Sequence, residues 1–242
     1  MERVEEKELL DSDQWPAEDV DCALSAIRRV NRLFGGDRMH RQLFYRVASQ
    51  KARKSIDVLE VASGRGEVVA AVARTLQKKN ISMRISLLDR SELHLPRPGN
   101  WYNDLLPPVL LVGDALEIPL PDRSVDVVSC CLFFHHLSAA GARAFLQESL
   151  RVARIAVLVN DLERTRANYL LSRLNTLIDP SSLSRHDGPT SVRQAYTLVE
   201  MHQMLGETGC PFELRRGFLF RLGAILWKSS TADYPVTAAT RP

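Results

Sequence analysis

Cysteine is scarce in this 242-residue chain: four stand at positions 22, 130, 131 and 210, and none has C-x-x-C spacing. That excludes the thiolate metal knuckles and dithiol redox motifs built on such pairs. Cys130 and Cys131 fall inside a strongly apolar run, where a thiol packs as a small hydrophobe. A reduced, cytoplasmic and metal-free protein is the expectation. Long apolar runs are also missing; none approaches the roughly 20 residues that cross a bilayer. The opening MERVEEKELLD is acidic and lacks the basic-then-apolar layout of a secretion signal. Nor is positive charge concentrated. The net charge of +3 is spread along the chain, with only short groups at Lys51 to Lys54 and at Arg215-Arg216. A nucleic-acid binder gathers its cations on one stripe, so no nucleic-acid partner is expected.

What is present is a rhythm. The length suits one large domain with helices on both faces of a sheet. Residues 1–15 are charged and read as loose. Val20, Ala23, Leu24, Ile27, Val30 and Phe34 recur at helical steps until Gly35-Gly36, and a second helix follows over about 38–50. Residues 1–50 thus read as an N-terminal helical cap. Strands are then expected at 56–61, 83–88, 109–112, 125–134 and 155–160, with a helix over 67–78 and a loop marked by Pro96, Pro98, Gly99, Pro107 and Pro108. Continuous apolar strands alternating with helices mean a parallel sheet covered on both faces. Thr197 and Glu200 have capping-box spacing. The runs 212–215 and 218–227 are joined too closely for a helical crossover, so they pair antiparallel. The expected fold is therefore α/β, a seven-stranded Rossmann-like sheet of five parallel strands closed by a C-terminal antiparallel hairpin. It occupies 51–228, and 229–242 form a flexible tail.

Val58 to Glu67, VLEVASGRGE, runs from a buried strand through a glycine turn into a helix. Ligands of parallel sheets bind beyond the strands' carboxyl ends, and Gly64 and Gly66 let backbone approach a ligand closely. Asp89 ends the second strand, where a carboxylate can accept both ribose hydroxyls. Asp114 ends the third, where it can take an adenine amine. Each acid could instead form a turn, but three such features stand in register. The dinucleotide fingerprint fails, because Val69 occupies the place of its third glycine.

With IPLPDRSVDVV at 118–128 leading into the fourth strand, this series resembles the class I S-adenosylmethionine-dependent methyltransferases, in particular the ubiquinone/menaquinone-biosynthesis-like group. The likeness covers about residues 55–160. It implies S-adenosyl-L-methionine as cofactor, with Glu60 and Ala62 opening the motif, Gly64 and Gly66 facing the methionine part, Asp89 at the ribose, Asp114 and Ala115 beside the adenine, and Arg90 also binding the cofactor. The family's first glycine is Ala62 here, and its opening acid is the longer Glu60.

The cofactor carries the reactivity of methyl transfer, so the protein supplies orientation and, for an oxygen acceptor, a base. Candidates are His136 and His186. His135 stands behind them, because neighbours on a strand point to opposite faces. His186 sits beside Asp187, which could orient it or simply staple a loop. Residues 161–196 read as an acceptor lid, with Ala167, Leu170, Leu171, Leu174 and Ile178 on one helical face over a pocket and Asp161 and Arg164 pinning lid to sheet. The NDLERTRANYLL…RHDGPTSVRQAYT layout resembles a bacterial subgroup of O-methyltransferases linked to phenolic and polyketide-type products. That resemblance implies methyl transfer to a hydroxyl of a small, aromatic acceptor, by a monomer or homodimer. A C-methyltransferase of quinone-type biosynthesis and a cofactor-binding protein without catalysis stay open. Nothing resembles the NPPY motif of nucleic-acid methylation; FFHHL occupies its place.

Overall fold

The computed structural model describes residues 1–12, 14–50, 53–96 and 104–228. The expected tail at 229–242 and part of the proline-marked loop lie outside the described residues. Two helices, α1 (Ala17–Leu33) and α2 (Gly36–Gln50), precede the sheet. Gly35, at φ +82°, turns the chain so sharply that α2 begins at Gly36 rather than 38. Only glycine fits there, since a Cβ on Gly36 would lie 2.0 Å from Asn31 Oδ1.

Seven strands follow: β1 (Ser55–Val61), β2 (Ser82–Asp89), β3 (Val109–Val112), β4 (Val125–Cys131), β5 (Ala153–Leu162), β6 (Phe212–Arg216) and β7 (Arg221–Trp227). They lie in the order β3-β2-β1-β4-β5-β7-β6. The first five pair parallel, and β7 is antiparallel to both β5 and β6. Helices α3 (Glu67–Gln77), α4 (Ala139–Val152), α5 (Arg166–Asn175), α6 (Ser182–Gln194) and α7 (Leu198–Glu207) complete the chain. Strand periodicity divides the core. Ile56, Val58, Val127 and Leu158 face α2 and α3, whereas Leu59, Val61, Val128 and Val159 face α4 and α7. The Thr197–Glu200 capping box forms as its spacing predicts.

Three expectations are corrected. Residues 1–12 are strapped down rather than loose. Val4 N–H donates to Arg193 O, Arg3 Nη2 to Leu137 O, and Leu9 and Leu10 N–H to the Asp187 carboxylate. Glu8 and Asp11 meet the two histidines and Arg3 meets Glu5, so part of the charge here is paired rather than solvated. Next, β4 stops at Cys131. Leu132 takes φ +57°, and Phe134–His136 form a turn of 3-10 helix, so His135 and His136 are not alternating strand residues. Last, residues 161–196 form two helices, and the face expected over a pocket is turned outward: Leu170 and Leu174 are 62% exposed and Ile178 81%. Leu171 lines the cleft described below, alongside the polar residues Asn168, Ser172 and Asn175. Arg164 does tie the region together, through Ala195 O and Glu200, whereas Asp161 is used elsewhere.

One core group is at odds with its surroundings. Arg221 is fully buried, and its three guanidinium nitrogens meet no hydrogen-bond acceptor among the described residues. Burial pushes its pKa down. An unpaired buried charge is destabilising. Arg221→Met should therefore stabilise the fold by about 1–4 kcal/mol, raising Tm by roughly 2–4 °C per kcal/mol at this size. A Tm that falls in a thermal melt would show that the guanidinium stabilises the fold after all.

Candidate functional site

The strand order reverses between β1 and β4, and a crevice opens there at the strands' carboxyl ends, as the topology requires. The cleft measures about 610 Å³, within the range of small-molecule sites. Its floor comes from strand ends and its far walls from α1, α5, α6 and the N-terminal strap.

At one end lies the glycine turn. Gly64 and Gly66 take φ +49° and +66°, and Ala62, where the resembled family has glycine, takes φ +48°. That left-handed conformation costs an alanine about 1–2 kcal/mol, so the turn holds the glycine geometry against strain. Asp89 is buried, and its Oδ2 accepts from Gly64 N–H at 2.8 Å while Oδ1 accepts from Ser91 N–H at 3.2 Å. The acid after β2 thus braces the loop after β1. Glu60 is buried too, against Ser129 Oγ and His40 Nε2. Asp114 accepts from Leu116 N–H, and Arg90 reaches the Asp11 carbonyl. The cleft brings together all eight residues that the resemblance points to: Glu60, Ala62, Gly64, Gly66, Asp89, Arg90, Asp114 and Ala115.

The opposite end is a cluster centred on the 3-10 turn. Buried His135 presents Nδ1 to Asp161 Oδ1 at 2.7 Å, and its backbone N–H donates to Asp161 Oδ2 at 2.8 Å. Its Nε2 lies 3.4 Å from Glu8 Oε1. His136 presents Nδ1 to Asp11 Oδ2 at 3.2 Å and Nε2 to Glu8 Oε2 at 3.8 Å. The imidazole rings lie 4.3 Å apart, centroid to centroid. Burial disfavours the charged form of His135, but Asp161 and Glu8 outweigh it and push the pKa up to about 10. Burial likewise opposes charge on Glu8 and Asp161, yet the histidines hold both carboxyls below their usual range. His135 is therefore a buried imidazolium at neutral pH, unsuited to accept a proton. His136, with its side chain 21% exposed, borders the cleft. His186 does not: its side chain is 46% exposed, on the outer side of α6, whereas its neighbour Asp187 lines the cleft. Burial raises the Asp187 carboxyl even though His186 and two backbone N–H groups donate to it.

Sequence reading missed Glu8 and Asp11. Both lie in the charged N-terminal segment, about 125 residues before the histidines they meet, and no local spacing announces that contact. Glu8, His135 and His136 also offer three ligand atoms within 4.8 Å of one another, a set that could hold a metal ion.

Residues 58–155 match the methyltransferase domain family. The fold is similar to that of a SAM-dependent methyltransferase from Aquifex aeolicus, at 20% identity and TM-score 0.54, covering 73% of this chain and 84% of that one. It is also similar to the plantazolicin methyltransferase BpumL in complex with SAH, at 14% identity and TM-score 0.68, covering 91% and 93%. The CurJ carbon methyltransferase is similar at 12% identity and TM-score 0.54, covering 73% and 49%. No curated protein matches significantly. The family match thus falls on the segment from β1 into β5, and the sheet shares the Rossmann-like fold of these neighbours. Among the described residues no helix is long and apolar enough to cross a membrane.

Proposed function

We propose that the protein methylates a hydroxyl of a phenolic, quinol or polyketide-type small molecule. S-adenosylmethionine would rest on Glu60, Ala62, Gly64, Gly66, Asp89, Arg90, Asp114 and Ala115, and His136 would take the acceptor's proton. One observation carries this reading: a single cleft joins the glycine turn and the two acids at one end to a histidine oriented by a carboxylate at the other. The strap and α6 roof the second end, which favours a small acceptor over a polymer. A phenol, with pKa near 10, keeps its proton at neutral pH, so a base within reach answers the chemistry. Residues 161–196, with α1, act as the acceptor lid.

Methyl transfer from labelled S-adenosylmethionine to a panel of phenols and quinols tests the reading, and NMR of the product separates O- from C-methylation. Cofactor binding is tested independently. Titration calorimetry should show S-adenosylhomocysteine binding, with NAD far weaker. Asp89→Ala removes a charge-assisted acceptor worth about 1.5–3 kcal/mol, so Kd should rise tenfold or more. An unchanged Kd would remove Asp89 from the cofactor site.

A further inference from the structure

The cluster at the acceptor end has the architecture of a metal site in three independent respects. Its donors converge: Glu8 Oε1 lies 3.4 Å from His135 Nε2, Glu8 Oε2 lies 3.8 Å from His136 Nε2, and one donor atom from each residue lies within 4.8 Å of the others. Ligands bound at about 2.0–2.2 Å in a tetrahedron stand about 3.3–3.6 Å apart, so the side chains close inward on an ion to complete the set. Each donor is also held from behind. Asp161 fixes His135 Nδ1, Asp11 fixes His136 Nδ1, and Ser191 Oγ and Gln194 Nε2 donate to Glu8 Oε1 at 2.5 and 3.1 Å. A carboxylate on Nδ1 fixes the imidazole proton there and leaves the Nε2 lone pair for an ion. Finally, the cluster opens toward the cleft at His136. Three protein ligands and one open position are the pattern of a catalytic rather than a structural site.

We propose that Glu8, His135 and His136 bind one divalent transition-metal ion, zinc by the two-histidine, one-carboxylate donor set, with the open position facing the acceptor. Ion binding does not depend on the phenolic reading; the use of the ion does. An acceptor hydroxyl at the open position would ionise more readily, passing its proton to water before its oxygen takes the methyl group. His136 would then serve as ligand in place of base.

The 242-residue chain, stripped with chelator, is titrated calorimetrically with zinc chloride at pH 7. One ion per chain should bind. Cobalt(II) should give the intense visible bands of a tetrahedral site. Glu8→Gln and His136→Ala should each weaken zinc more than 100-fold, and Asp161→Asn 10–100-fold. S-adenosylhomocysteine binding reports that each variant is folded. Absence of zinc binding by the wild-type chain, or affinity unchanged in Glu8→Gln and His136→Ala, overturns the proposal. Zinc binding without methylation of any phenol would count against the acceptor reading alone.

Discussion

His136→Ala should lower turnover about 10²–10⁴-fold while S-adenosylhomocysteine binds as tightly as before, the scale on which a lost general base is felt. The separation follows from geometry. His136 lies on the 3-10 turn after β4, whereas the glycine turn and Asp89 follow β1 and β2, so the substitution leaves the cofactor end untouched. His186→Ala is the control. Its imidazole is nearly half exposed, outside the cleft, and it reaches the site only by donating to Asp187. That variant should keep turnover within a few-fold of wild type. Steady-state kinetics and calorimetry on both variants decide the matter. Full activity in His136→Ala would remove His136 from the reaction as base and as ligand alike. The reverse pattern, with only His186 essential, would place the acceptor on the outer side of α6.

The parts that were legible in the sequence obey short-range rules. Apolar runs bounded by helices announced the parallel strands, and β3 matches its expected limits residue for residue. The short link before β7 announced the hairpin. The glycine turn and the acids after β2 and β3 were legible because a βα crevice places strand ends together whatever lies between them. The acceptor end was not. The continuous apolar run extended β4 through Phe134, because FF prolongs it; the left-handed Leu132 that ends the strand has no sequence signature. Leu170, Leu174 and Ile178 have helical spacing, but spacing alone does not say which side of a helix finds a partner. Glu8 was hidden for a third reason. Acidic residues near a terminus read as solvated, and only the fold brings Glu8 to two histidines, Ser191 and Gln194. Arg164, expected to pin the 161–196 segment to the sheet, bonds Ala195 O and Glu200, while Asp161 holds His135. The two side chains differ in role because Asp161 still lies on β5, where alternation sends it toward the α4 face, whereas Arg164 follows the strand's end.

Asp161→Ala should strongly destabilise the fold. It leaves a buried imidazolium with one carboxylate partner fewer, and breaking a buried pair costs about 3–5 kcal/mol, a fall in Tm of roughly 6–20 °C for a chain of this size. The loss should depend on pH in a defined direction. His135 has a folded pKa of about 10 against an ordinary value of 6.5. Its contribution is therefore complete below about pH 6.5 and drains away as pH rises toward 10. The Asp161 carboxyl is depressed, so its share is present above its ordinary value of 3.8 and is lost as pH falls through the folded pKa. Wild type and variant should differ most between about pH 4 and 6.5 and converge on the alkaline side. Thermal melts of chelator-treated protein from pH 5 to 10 measure this directly. In Asp161→Ala the alkaline decline should be shallower, since His135 then lacks its nearest anion, with Glu8 at 3.4 Å as the remaining partner. Two curves running parallel across that range would mean that His135 is neutral in the folded protein. The cluster would then rest on neutral hydrogen bonds, and Glu8 would be the group to titrate next.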